Sequence, residues 1–212
     1  MGTLRQAGEN RVVEQITALT VIVPTTGRPT LERTLRSFAG DLGGDDEIVV
    51  MSDGDHPHIE FLVSQLAKEY PAPVWTFAWE HPQGNWGHPL RNMALDKFVD
   101  TTHVWTIDDD DIAAPGAINT IRGYLMHDFV IFRMHFGPGH PADGVTCWRY
   151  QQVMHGDIGT PMVVARKCAA RYGLHYSGDY DYAHELQAQY GEPVWAPETI
   201  AIIRPEATDA AL

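Results

Sequence analysis

A chain of 212 residues, 44% hydrophobic and 20% charged, is long and apolar enough to bury one core. Its 19 Gly and 14 Pro are scattered rather than clustered, which excludes a disordered or fibrous chain. The 15 Lys and Arg stand against 28 Asp and Glu, a formal net charge of -13, so neither nucleic acid nor an anionic membrane surface is expected as a partner.

Short runs rich in Val and Ile alternate with segments of helical period, the layout of an α/β fold with a mostly parallel central sheet flanked by helices. The first strand is Leu19 to Pro24, whose continuous apolar character suits burial on both faces. Leu31, Leu35 and Phe38 then recur at helical spacing, with Pro29 at the helix start and Gly40 at its stop. Glu47 to Met51 is a second strand, and Phe61, Leu62 and Leu66 form the apolar stripe of a helix ending near Tyr70. PVWTFA, from Pro73, is a third strand, and Pro89 to Phe98 a third helix. His103 to Ile107 is a fourth strand, running directly into Asp108, Asp109, Asp110 and Asp111. Beyond it the pattern predicts a helix from Ala117 to Met126, strands in FVIFRM and PMVVA, a short helix near Arg166 to Tyr172 and another from Tyr180 to Gln189. No repeat or linker interrupts residues 1–212, so a single domain is expected, with a change of subdomain near residue 112.

Two cysteines, Cys147 and Cys168, make neither a disulfide framework nor a zinc site, which suits a reducing cytosol. The start MGTLRQAGEN lacks an apolar signal core and the Ser or Thr of a myristoylation motif, and no run reaches membrane-spanning length. A cytoplasmic location without membrane insertion is the expectation.

The chemistry concentrates at strand ends. Like charges ~4 Å apart repel by about 4 kcal/mol at an effective dielectric of ~20, so four successive carboxylates want a cation. In an extended chain Asp108 and Asp110 point one way and Asp109 and Asp111 the other, giving two carboxylates to one site. Oxygen-only ligation suits Mg2+ or Mn2+; the bland alternative is a solvated acidic turn. Asp53 ends the second strand, able to accept from a ribose or base edge or to serve as a plain turn residue before Gly54. Pro24, Thr25, Thr26 and Arg28 follow the first strand, so three loops border one cleft. No loop reads GxGxxG or GxxxxGK[ST], which removes the dinucleotide fingerprint and the P-loop.

VIVPTTGRPTLERTLRSF, EIVVMSDGD, GNWGHPLRNMALD and HVWTIDDDDIAAPGAI follow one another in that order, and together they resemble the nucleotide-sugar-binding half of family 2 glycosyltransferases of the GT-A fold. The resemblance covers about residues 18–118 as donor half and leaves 119–212 as a small acceptor subdomain. It implies that Asp53 reads the base, Asp108 (with Asp109 beside it) holds the ribose, and Asp110 ligates the metal. It also implies that Arg91 fixes the first Asp or the diphosphate, with a surface arginine as the bland alternative, while Pro24, Thr25, Thr26 and Arg28 cradle the nucleotide. The family begins a helix of its second half with Glu-Asp, whose Asp is the general base. Here SGDYDYAHEL carries Asp179 at that place and Gly178 for the Glu, with Asp181 as rival base and helix capping as the alternative for Asp179. His184, one turn beyond Asp181, is a candidate third metal ligand. His155 is a candidate for the acceptor side, and Trp86 and Trp148 are candidates to stack on a sugar, burial in the core being the alternative for each Trp.

The function so implied is metal-dependent transfer of a sugar, with inversion, from a nucleotide diphosphate sugar, a UDP-sugar favoured, to an acceptor hydroxyl. The alternative is a non-catalytic nucleotide or nucleotide-sugar binding protein with a degenerate acceptor site, for which Gly178 speaks. A phosphatase using the first Asp of a D-x-D normally places that motif after the first strand rather than the fourth.

Overall fold

The computed structural model describes residues 18–138, 140–148 and 150–204; the N-terminal decapeptide read for targeting signals lies outside the described residues. In chain order the first half contains β1 (Leu19–Thr25), α1 (Leu31–Arg36), β2 (Glu47–Asp53), α2 (Pro57–Glu69), β3 (Val74–Trp79), α3 (His88–Lys97) and β4 (His103–Thr106). The second contains β5 (Ile112–Ala113), α4 (Ala117–Arg122), β6 (Phe129–Phe136), β7 (Thr146–Cys147), β8 (Val163–Arg166), α5 (Gly178–Tyr190) and β9 (Val194–Ile203).

Every residue of β1 is buried, as its unbroken apolar run requires, and β2 and β4 pair with it in parallel on either side. The sheet runs β3-β2-β1-β4-β8-β6-β9-β5, with β7 paired to β6, so one sheet passes through both halves. The chain moves outward from β1 through β2 to β3 and then returns to β4 on the other side. Ligand crevices of open α/β sheets lie outside the carboxyl ends of strands at such a reversal, which here falls between β1 and β4. Trp105 of β4 anchors the core: it is fully buried, packs edge-on against Phe38 at 5.9 Å, and its indole N–H donates to the Pro161 carbonyl at 2.9 Å.

Several elements differ from their sequence reading, each for a local reason. The buried stripe of α2 is Ile59, Val63 and Leu66, whereas Phe61 is exposed. Helix α1 stops at Arg36 because the Ser37 hydroxyl donates to the Thr34 carbonyl at 2.6 Å and accepts from Ala113 N–H at 2.9 Å, tying the turn to β5. The helix expected from Arg166 to Tyr172 is absent. The Asn92 side chain there accepts from Tyr172 N–H and donates to its carbonyl, both at 2.8 Å, and Lys167 N–H bonds to the Thr102 carbonyl, so tertiary partners replace helical ones. Strand β9 escaped the reading because Pro197 interrupts its apolar run. The register jumps there, from Ile131 opposite Trp195 to Arg133 opposite Thr199, and the bulge accommodates the proline.

Asp46 joins the halves below the site. Buried at 5% exposure, it accepts from Leu19 N–H at 2.9 Å, from Gly43 N–H at 2.8 Å and from Arg122 at 2.5 Å. Asp46→Ala leaves those donors unanswered and is expected to lower stability by about 3 kcal/mol in urea unfolding. A loss below about 1 kcal/mol would contradict this account.

Candidate functional site

The acidic run does not continue β4. Asp111 N–H donates to the Asp108 carbonyl at 3.1 Å, closing a tight turn, so the alternation of side chains expected for an extended chain is not realised. The turn is held through its carbonyls: the Thr34 hydroxyl lies 2.6 Å from Asp111 O and 3.0 Å from Asp109 O, and Arg33 donates to Asp110 O at 3.1 Å. The four carboxylates fan out to different partners. Asp108 pairs with Arg91. Asp109 is buried and accepts from the Thr25 hydroxyl at 2.6 Å, from Thr26 N–H at 3.3 Å and from Arg28 at 3.1 Å. Asp110 pairs with Arg28 at 2.7 Å and Arg204 at 3.3 Å, and Asp111 accepts from Arg204 N–H at 2.9 Å. Burial, with Asp108 and Asp110 nearby, holds the Asp111 carboxyl well above the usual carboxylate range, and burial raises Asp109 despite the Thr25 and Arg28 contacts.

Asp108, Asp110 and Asp111 line a cleft of about 680 Å³, together with Arg91 from α3 and Asp179 from α5. Arg91 is 1% exposed, donates to Asp108 and to the Trp86 carbonyl at 2.6 Å, and lies over the Tyr172 ring at 5.5 Å. Its guanidinium stands 3.1 Å from Nδ1 of His88, also in the cleft wall. That contact makes Nδ1 an acceptor and puts the ring proton on Nε2, which has no hydrogen-bond partner among the described residues. Burial, then the neighbouring guanidinium, pushes His88 down to about 4. Gly87 permits this packing: its φ is +74°, and a Cβ there would stand 3.0 Å from Pro24 Cβ and 3.3 Å from Arg91 Nη1. Burial pushes Asp179 up to about 6, against the Tyr180 N–H that donates to it at 2.8 Å.

The structure thus brings Asp108, Asp110, Arg91 and Asp179 together, and it keeps other expected residues away. Asp53 lies outside the cleft lining, its oxygens accepting from Gln83 N–H at 2.6 Å and Gly84 N–H at 3.0 Å, so it clamps the loop ahead of α3. Pro24 and Thr25 are buried, and Asp109 faces them rather than the cleft; Thr26 and Arg28 are exposed on the adjoining loop. Asp181 turns away from the cleft to His175 Nε2 at 2.7 Å. His184, the candidate third metal ligand, does not line the cleft: it is exposed on α5, with the Tyr180 ring as its neighbour at 5.8 Å. Gly178 has no room for a side chain, since a Cβ would strike the Gly173 carbonyl and stand 2.8 Å from the His88 ring. The Glu of the family pattern is sterically barred from this backbone. Trp86 and His155 reach the cleft, whereas Trp148 is buried under the Arg133 guanidinium. His88 and Arg204 were not found in the sequence, where neither belongs to a recognisable pattern.

Among the described residues no group of three or more His, Cys, Asp and Glu is placed to hold a metal ion by itself. The donor chemistry nevertheless fits a hard cation: the cleft carries three carboxylates from one turn. Oxygens of a substrate and water would complete such a shell. Among the described residues no helix is long and apolar enough to cross a membrane.

Residues 17–174 match the family described as glycosyltransferase like family 2. No curated protein matches the sequence. The fold is similar to S. aureus TarS 1-349, with a TM-score of 0.70 at 16% identity over 88% of this chain and 60% of that one. The complex of TarS 1-349 with UDP-GlcNAc gives a TM-score of 0.69 at 17% identity over 92% of this chain and 62% of that one. The mannosyltransferase PcManGT from Pyrobaculum calidifontis, in complex with GDP-Man and Mn2+, gives 0.66 at 16% identity over 90% of this chain and 58% of that one. These likenesses establish the fold, GT-A, and this chain spans less than two thirds of each of those chains.

The depressed His88 makes the cleft wall sensitive to acid. Its folded value lies below the unfolded 6.5, so the stability it contributes is complete above that value and is lost as pH falls toward about 4. In an NMR titration the His88 ring is expected to stay neutral at pH 5.5; a midpoint near 6.5 would overturn the packing described here.

Proposed function

We propose, from the premise that this chain belongs to glycosyltransferase like family 2, that it transfers a sugar from a nucleotide diphosphate sugar to an acceptor hydroxyl with inversion. One observation carries the proposal: Asp108, Asp110, Arg91 and Asp179, drawn from three separate elements, face a single cleft at the reversal point of the sheet. The donor diphosphate lies toward Asp110 and Arg91, and the nucleoside extends over the exposed Thr26 to Arg28 loop, with Asp108, paired to Arg91, on the ribose side. The TarS and PcManGT complexes, which hold UDP-GlcNAc and GDP-Man, favour a nucleotide sugar as donor, with UDP the first nucleotide to try.

Asp110 would hold a Mn2+ or Mg2+ ion, with Asp111 behind it. Bound there, such an ion supplies positive charge to the diphosphate leaving group. Arg91, buried and preset by Asp108 and His88, gives a fixed cation to the same end of the cleft. Asp179 acts as general base: its carboxylate takes the proton of the acceptor hydroxyl as that oxygen attacks the anomeric carbon from the face opposite the diphosphate. Trp86 and Tyr176, packed edge to face at 5.6 Å, form an aromatic rim on the acceptor side.

Asp179→Asn is expected to keep nucleotide affinity while transfer falls by about 10²- to 10⁴-fold. The base works only as carboxylate, and burial has raised it, so the wild-type transfer rate should climb with pH through about 6. That inflection should vanish in Asp179→Asn, and normal turnover by the variant would remove Asp179 from the role. Asp110→Asn should abolish the part of nucleotide affinity that depends on divalent metal, as measured by calorimetry with and without chelator. Equal affinity of the wild-type chain in excess chelator would contradict the metal assignment.

A further inference from the structure

One oxygen of Asp110 serves two guanidinium groups, Arg28 Nη1 at 2.7 Å and Arg204 Nε at 3.3 Å. The two are not equivalent. Arg28 also reaches the buried Asp109 at 3.1 Å and does not line the cleft, so it has a second carboxylate to hold it in place. Arg204 lines the cleft, its side chain is 64% exposed, and Asp110 is the carboxylate paired with its guanidinium among the described residues. Its main chain is anchored separately, through the N–H that donates to Asp111 at 2.9 Å. The Cα is therefore fixed while the side chain rests on one exposed ion pair, a weak attachment. Arg91, the other guanidinium of the cleft, is buried and engaged by Asp108, the Trp86 carbonyl and His88.

A divalent cation and a guanidinium compete for the same carboxylate oxygen, and each repels the other. Resting on the donor assignment above, we infer that Arg204 is a donor-phosphate ligand, held on Asp110 until a divalent ion claims that carboxylate and then turned toward the diphosphate. The planar fork of Arg matches phosphate oxygens, and in a chain of net charge -13 a released cation at the cleft lip is what an anionic donor needs. The role has a signature that simple structural support lacks. Removing the side chain removes a competitor of the metal and also a ligand of the nucleotide, so the two affinities move in opposite directions.

The test compares wild-type chain, Arg204→Ala and Arg204→Lys. Mn2+ binding to the nucleotide-free protein is followed by electron paramagnetic resonance of free Mn2+, and UDP or GDP binding at saturating Mn2+ by calorimetry. Arg204→Ala should bind Mn2+ alone about threefold or more tightly and the nucleoside diphosphate about 10- to 100-fold more weakly, with Arg204→Lys between the two. Unchanged nucleotide affinity in Arg204→Ala, or both affinities falling together as damage to the end of β9 would produce, overturns the inference and leaves the donor assignment standing. A wild-type chain that binds neither UDP nor GDP in Mn2+ overturns the donor assignment and this role with it.

Discussion

Four carboxylates on consecutive residues cannot lie side by side where a protein shields them from water, and the architecture around β4 is the answer to that constraint. A tight turn splays them apart, and each meets its own donor: Arg91 for Asp108, Thr25 and Arg28 for Asp109, Arg28 and Arg204 for Asp110, and a backbone N–H for Asp111. Asp111 remains protonation-prone because it is buried, with Asp108 and Asp110 near it, and the Arg204 backbone N–H only partly offsets that. The three carboxylates that line the cleft are the ground on which a divalent ion and a phosphorylated donor are proposed.

The second half of the chain is shaped by the same centre. Its contribution is made of ends: the start of α5 brings Asp179, and the end of β9 brings Arg204. Gly178 lets α5 begin hard against the Gly173 carbonyl and His88, and the ring of His88 in turn backs Arg91. A Glu in that place would push α5 away from α3 and move Asp179 away from the buried guanidinium. The departure from the family's acidic pair is therefore tied to packing, and it does not by itself mark a degenerate site.

Much of this was legible in the sequence, for a physical reason. Apolar period places strands and helices, and the end of β4 singles out Asp108 and Asp110, while Arg91 and Asp179 come from the family resemblance; all four line the one cleft. The residues that lie outside the cleft lining have the same origin. Helical spacing sets His184 one turn beyond Asp181, which says that residues share a face but not which face looks into the cleft, and neither lines it. Asp53 was taken from its strand end, yet its oxygens face backbone N–H groups of a loop that no pattern announces. Strand β9 was hidden by a proline that a bulge absorbs.

By itself the sequence determined the order of strands and helices from β1 to β4, the acidic end of β4 and, through the order of its motifs, the family, because these depend on local period and local pattern. Only the tertiary structure decided which charge answers which. Arg28 and Asp109 meet across 81 residues, and Arg122 and Asp46 across 76. Pairings of that range are set by how the sheet closes and by the desolvation each buried group must offset, quantities that no local spacing contains.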